Sequence, residues 1–189
     1  MSAKYVELEG KSMLRLLHPR PTVIVVATGY DGEVNGCAVA WITPVNVDPP
    51  VIAFSLSPKR YTHKLVRETG EVTINVMGLD TLDKTHYVGS VSGRDVKGKL
   101  EKAGLTLVPS RKVRPPSIAE ALGVLECKVT GTIEFTDHDL FICEVVDARA
   151  GRDVLDQEKG IMLERTKPLL HVGSNIYTTT NGYHRAGKQ

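Results

Sequence analysis

The run Thr22–Thr28, Thr-Val-Ile-Val-Val-Ala-Thr, restricts the fold more than any other segment of this chain. Its β-branched and apolar side chains do not alternate with polar ones, as they would in a strand with one wet face. Pro19 and Pro21 precede the run and Gly29 follows it, so it reads as a short, well-buried strand. Asp31-Gly32 then supplies a hairpin turn, because glycine takes positive φ without steric cost. A second strand is expected over Ala38–Thr43. Asp48-Pro49-Pro50 stops it, and a third follows over Val51–Ser57.

Further along, Thr62–Glu68 has helical character and closes at Gly70, and Glu71–Met77 alternates as a strand. Short helices are expected over Asp80–Tyr87 and Val96–Ala103, with Asp80, Asp83 and Asp95 as helix-start residues. Ser117-Ile118-Ala119-Glu120 fits a capping box opening one helical turn. Val124–Phe135 and Leu140–Ala148, rich in Thr, Val, Ile and Phe, predict two long strands, and Leu169–Thr179 a final extended segment. Strands at short intervals with few helices between them point to a closed or nearly closed β-barrel with helical excursions. A parallel α/β sheet would need more and longer crossover helices. No repeat, low-complexity tract or linker divides the 189 residues, so one domain is expected, with residues 180–189 as a polar tail or an arm on a neighbouring copy.

Charge excludes some function classes. A net charge of +2 and 5% aromatic residues give no basis for a nucleic-acid surface. The longest apolar runs, Val23–Ala27 and Val51–Leu56, are too short to span a bilayer. Met1–Arg20 shows no secretory leader pattern, so a soluble cytoplasmic protein is expected. Cys37, Cys127 and Cys143 lack redox or metal-finger spacing. With a hairpin tip at Asp137-His138-Asp139, Cys143 would face Ile133 and Cys127 would lie near Arg149. A disulfide is therefore not expected, and both cysteines read as small buried hydrophobes. The six histidines show no metal-ligand spacing. His138 is assigned to an exposed turn, and His171 either to a cofactor contact or to a structural hydrogen bond.

Two segments can carry chemistry. Ser57-Pro58-Lys59-Arg60-Tyr61-Thr62-His63 ends a strand and enters a helix, where unpaired N–H groups suit a phosphate. Arg60 can add a bidentate contact and the Ser57 and Thr62 hydroxyls can donate to it. By residue pattern alone, the preferred reading is Thr62 as a helix cap beside solvated Lys59 and Arg60. Asn35-Gly36-Cys37-Ala38-Val39-Ala40-Trp41-Ile42-Thr43 joins a glycine to small residues, which lets a flat ligand approach backbone amides. Trp41, the sole tryptophan, is by default a core residue.

Together these segments resemble the flavin reductase-like family, which includes flavoredoxins and related ferric reductases. The resemblance runs from Pro19 to Val76: a proline-rich opening, Asn-Gly before a small-residue strand, Asp-Pro-Pro, and a Thr-containing turn into a helix. It continues in Ser92-Gly93-Arg94-Asp95, in Lys99–Leu105 and in the His-containing Leu170–Tyr177. The resemblance implies a mainly β, FMN-binding split β-barrel of Greek-key type. Asn35, Gly36, Cys37, Ala38, Ala40, Trp41 and Thr43 would line the flavin ring and ribityl chain. Ser57, Arg60 and Thr62 would hold the phosphate, and Lys99 would reach the cofactor, although Leu100 stands where the family often has Phe. Asn46, where the family often has Ser, is left out of the site. The implied activity is transfer of hydride from NADH or NADPH to FMN and of electrons onward to a small molecule or a partner protein. A non-enzymatic FMN electron carrier is the alternative, and a haem protein with His171 as axial ligand is a more distant one. No metal site is implied. A homodimer is, with Trp41, Tyr61 and the C-terminal strand as candidate interface residues.

Overall fold

The computed structural model describes residues 5–158 and 160–184. Seven strands form one antiparallel sheet: β1 (Val23–Thr28), β2 (Val34–Val39), β3 (Ile42–Asn46), β4 (Val51–Leu56), β5 (Glu71–Val76), β6 (Gly123–Glu134) and β7 (Asp139–Ala150). Their order is β2-β1-β5-β6-β7-β4-β3. The sheet's two outermost strands, β2 and β3, are consecutive in the chain, joined only through Ala40 and Trp41. A sheet whose opposite edges are tied by so short a link must curl back on itself, so the fold is a barrel split along one seam. The Ser55 N–H donates to the Trp41 carbonyl at 2.9 Å, which carries the β3–β4 pairing one residue past Ile42 to the crossing.

Barrel closure explains the unbroken apolar run of β1. Val23, Val25 and Ala27 point into the barrel, where they join Phe54, Phe141, Ile74, Leu65, Cys127 and Cys143. Ile24 and Val26 point outward into a second cluster with Met77, Val88, Leu100, Leu105, Ile118 and Leu169. Both faces are dry, and alternation disappears. Phe54 and Phe141 stack at 5.3 Å between centroids in the barrel interior and are fully buried. Among the described residues no helix is long and apolar enough to cross a membrane.

Helix α1 (Tyr61–Thr69) ends at Gly70, whose φ of 65° is the left-handed conformation that glycine accepts most easily. Helix α2 (Leu82–Ser90) follows a single 3-10 turn, Leu79–Thr81, and α3 covers only Lys99–Lys102. The C-terminal segment is not one strand but a hairpin, β8 (Leu170–Gly173) and β9 (Ile176–Thr178), with Ser174 at φ 51° in the turn. It pairs with Arg20–Pro21 in the register Arg20 to His171.

Several boundaries differ from the sequence reading. The second strand starts at Val34 and breaks at Ala40–Trp41, because the chain crosses the seam there. Of Val96–Ala103, only the last turn is helical. Ser117-Ile118 forms a short strand against Leu107–Val108, and the Glu120 carboxylate accepts from the Thr106 N–H and hydroxyl rather than closing a capping box. The β6–β7 turn is also tighter than expected: Asp139 already pairs with Glu134, which moves the register. Cys143 therefore faces Val129 and Cys127 faces Val145, making the cysteines diagonal neighbours rather than remote ones. All three cysteines are free and buried. Burial pushes the Cys143 thiol up to about 12, and burial next to Cys143 raises Cys127 as well. From the C-terminal tail, the Tyr183 hydroxyl donates to the Ile161 carbonyl at 2.6 Å and accepts from the Leu163 N–H, so this part lies along its own chain. Residues 185–189 lie outside the described residues.

Candidate functional site

At the seam the fold leaves a cavity of about 600 Å³, a size within the range of roughly 300–1,000 Å³ common for small-molecule and cofactor sites. Three groups of residues wall it. The first is the end of β2 and the crossing, Cys37 through Trp41, joined by Thr22. The second is the end of β4 and the turn into α1, from Ser55 to Ser57 with Lys59 and Arg60. The third comes from more distant elements: His86, Gly89 and Ser90 of α2, His138 of the β6–β7 turn, and His171, Ser174 and Tyr177 of the terminal hairpin.

Small side chains make this wall possible. A Cβ on Gly89 would stand 2.9 Å from the Ala38 Cβ, so α2 and β2 can pack this closely only with glycine there. The Thr22 hydroxyl, on the wall and buried, has no hydrogen-bond partner. An unpaired buried hydroxyl is costly, and a bound polar ligand would relieve that cost.

The turn before α1 is braced from behind. Arg60 occupies the N-cap position, and its Nη1 donates to the Gly89 carbonyl at 3.3 Å. The Arg94 guanidinium donates to the Lys59 carbonyl at 2.7 Å and lies over the Tyr61 ring. The Tyr61 hydroxyl donates to Glu33 at 2.5 Å, and Lys97 pairs with the same carboxylate. Lys97 and Tyr61 hold that carboxyl below its usual value. His63 bonds Asp139 at 2.7 Å, which ties α1 to the start of β7.

Five of the residues singled out in the sequence stand outside the cavity wall. The Asn35 amide donates to the buried Thr62 hydroxyl at 2.8 Å, so these two hold β2 to α1. Gly36 gives room to Leu100, which a Cβ would meet at 2.9 Å. Thr43 is exposed, with its hydroxyl donating to the Pro44 carbonyl. The Lys99 ammonium is buried and donates at 2.8 Å to the carbonyls of Val88 and Val91, closing the C-terminal end of α2. Burial lowers its pKa, the Cys37 thiol opposes that shift, and the Arg60 charge adds to it. Cys37, Ala38, Ala40, Trp41, Ser57 and Arg60 do share the cavity.

Sequence reasoning missed His86, Gly89, Ser90, Ser174 and Tyr177, and placed His138 in an exposed turn. The His138 ring is half-buried instead, stacked on Trp41 at 4.8 Å. Around it a line of rings continues. His86 Nδ1 meets the Tyr177 hydroxyl at 3.1 Å, Tyr177 lies 5.1 Å from His171, and His171 lies 5.6 Å from His18. Burial and the neighbouring Arg20 hold the His18 imidazole below its ordinary pKa. Its neutral form fits the bonds present: Nδ1–H donates to the His171 carbonyl at 3.2 Å, and Nε2 accepts from Arg20 at 2.5 Å.

Comparison with known proteins places this geometry among relatives. Residues 13–180 match the family described as flavin reductase like domain. Flavoredoxin from Methanosarcina acetivorans is 27% identical, with a TM-score of 0.83 over 97% of this chain and 95% of that one. An FMN-binding protein from Thermus thermophilus, solved with bound 1-cyclohex-2-enone, is 27% identical, with a TM-score of 0.82 over 99% and 100%. The reductase component of a 4-nitrophenol 4-monooxygenase/4-nitrocatechol 2-monooxygenase from Rhodococcus opacus is 30% identical over 68% of this chain and 65% of its own length.

Proposed function

The chain belongs to the flavin reductase-like domain family, and from that premise we propose that its cavity holds FMN and that the protein works as an NAD(P)H-dependent flavin or ferric reductase. One observation carries this reading. The small-residue stretch Cys37–Trp41 and the Ser57–Arg60 turn, remote in sequence, wall the same cavity of about 600 Å³. Ser57, Lys59 and Arg60, with the first N–H groups of α1, would hold the phosphate. The backbone of Cys37–Trp41 would meet the polar edge of the ring, and the Thr22 hydroxyl would gain the partner it lacks. Asn35, Thr62 and Lys99 would act one step back, by fixing β2, α1 and α2.

Bound FMN supplies the hydride-accepting and electron-passing chemistry. The chain's own part is to orient the ring, exclude water behind it and leave one face open for the donor. The likeness to the Rhodococcus opacus reductase component supports a reductase role. The likeness to flavoredoxin supports a second reading, an FMN electron carrier that serves partner proteins. We also propose a homodimer, since Met13, Leu14, Leu16, Leu17, Val45 and Val47 present apolar surface to solvent that a second copy would cover.

The test is an absorbance spectrum of FMN-loaded protein before and after addition of NADH or NADPH. Bleaching of the flavin band with steady turnover is the expected result. A flavin that stays oxidised with both nicotinamides, yet is reduced by a donor protein, would replace the reductase with the carrier. Failure to take up FMN would end both readings.

A further inference from the structure

Two of the three groups of residues that wall the cavity go to the cofactor on the reading above. The third, mostly on α2 and the terminal hairpin, does not. The protons on this third wall can be counted. The Ser90 hydroxyl has one, and it goes to the His86 carbonyl at 2.8 Å. The contact of Ser90 Oγ with His86 Nε2 at 3.3 Å therefore takes its proton from the imidazole. A neutral imidazole protonated at Nε2 has a bare lone pair on Nδ1, so the Tyr177 hydroxyl donates the 3.1 Å bond between them. Burial raises the Tyr177 pKa, and the phenol keeps that proton. On the same hairpin, His171 Nε2 lies 3.1 Å from the Ser174 carbonyl, which can only accept, so Nδ1 of His171 is a lone pair as well.

The outcome is a wall of acceptors. His86, Ser90 and Tyr177 all line the cavity, and their side-chain protons are committed to one another or to backbone. The phenol oxygen keeps capacity to accept. Among the described residues no carboxylate lines the cavity, so this wall accepts hydrogen bonds without carrying charge. An anionic ligand would set lone pairs against lone pairs there, and a cation would find no counter-charge. An uncharged N–H donor on a flat ring suits it. We propose that the Tyr177 oxygen is the specificity contact for the primary carboxamide of the nicotinamide donor. His86, itself held by Ser90, is then a positioning residue that keeps the Tyr177 proton turned away from the ligand. The inference rests on the reading of the cavity as the FMN site of a nicotinamide-dependent reductase, because the third wall then faces the space left for the donor.

The test compares two dinucleotides that differ only at this group: NAD+ and 3-acetylpyridine adenine dinucleotide, in which a methyl replaces the amide NH2. Their 2′-phosphorylated forms take their place if NADPH is the reductant that bleaches the flavin. Neither reacts with oxidised FMN, so binding to the FMN-loaded protein is read from the flavin band without turnover. Wild-type protein is expected to hold the carboxamide roughly three- to tenfold tighter. Tyr177→Phe should bring the two within about twofold of each other while FMN affinity holds. His86→Phe keeps a ring in place and removes Nδ1, so the freed Tyr177 proton should turn the preference toward the acetyl ketone. A merely structural clamp between α2 and the hairpin would weaken both dinucleotides alike on Tyr177→Phe, and that result overturns the proposal. So does equal binding of the two by the wild type, or loss of FMN from Tyr177→Phe, since the oxygen would then belong to the cofactor. If a nicotinamide bleaches the flavin but Tyr177→Phe keeps the wild-type preference, the contact falls and the reductase reading stands. A flavin that no nicotinamide bleaches removes both.

Discussion

At the scale of single residues, the site divides into groups that face the cavity and groups that hold them in place. Arg60 faces it, from the N-cap of α1, with one bond to the Gly89 carbonyl. Loss of a charge-assisted phosphate contact at that position should weaken FMN binding by about 1.5–3 kcal/mol. Calorimetric titration of Arg60→Ala with FMN is expected to show that loss, with an unchanged circular dichroism spectrum; unaltered affinity would remove Arg60 from the phosphate assignment. Thr62, two residues on, was equally attractive in the sequence. Its hydroxyl is instead taken by the Asn35 amide inside the protein. The pattern Ser-x-x-Arg-x-Thr marks the turn, but only the direction of each side chain separates a ligand contact from a brace. Sequence spacing does not carry that direction until the helix start is fixed to a residue.

At the scale of elements, strands were legible and their pairing was not. The buried β1, the Asp31-Gly32 turn, α1 with its Gly70 cap and the long β6 and β7 all have local causes, and they stand within a few residues of where the sequence places them. In the β6–β7 register Asp139 pairs with Glu134 and also takes a tertiary bond from His63 of α1. No local pattern around the turn contains it. Ser117-Ile118 is a similar case, since its partner strand and the Arg149 guanidinium on the Ser117 hydroxyl come from elsewhere in the chain. The same guanidinium pairs with Glu126, which is fully buried and also accepts from the N–H groups of Arg111 and Lys112. Burial alone would raise the Glu126 carboxyl, but those donors together hold it below its usual value. A depressed carboxyl contributes stability that is present above its unfolded-state pKa and lost as pH falls through the folded value. Unfolding midpoints are therefore expected to fall on acidification below about pH 4.3, where unfolded glutamate protonates. Glu126→Gln should flatten that slope. It should also cost about 3 kcal/mol at neutral pH, since it leaves Arg149 without its buried partner. An acid profile identical in the two proteins would show that Glu126 does not hold the hairpin to the preceding loop.

At the scale of the whole molecule, the fold follows from one topological fact, and the sites follow from the fold. The residues of the cavity wall come from β2, β4, α2, the β6–β7 turn and the terminal hairpin, and only the seam of the barrel brings them to one place. That is why most of the His-rich wall escaped sequence reading: His86 and His138 share no detectable spacing with His171, the one histidine the sequence offered for the cofactor. The exposed apolar residues Met13 to Leu17 and Val45 to Val47 belong to this scale as well. Sedimentation equilibrium of the full chain is expected to return twice the monomer mass of 20.7 kDa. Leu16→Lys with Leu17→Lys should shift the balance toward monomer if that surface is the contact, while a wild-type monomer with FMN fully bound would contradict the dimer.

The two-residue crossing at Ala40–Trp41 has one more consequence. Edge strands ordinarily recruit other strands, and proteins blunt them with charge, proline or a covering element. Here the rims of β2 and β3 are fastened to each other by the chain itself, and the end of β2 with the crossing turns toward the cavity. The backbone groups that would invite aggregation in an open sheet are the ones a small guest can use. In such a fold, guarding the sheet against its own kind and offering a berth to a ligand are one and the same arrangement.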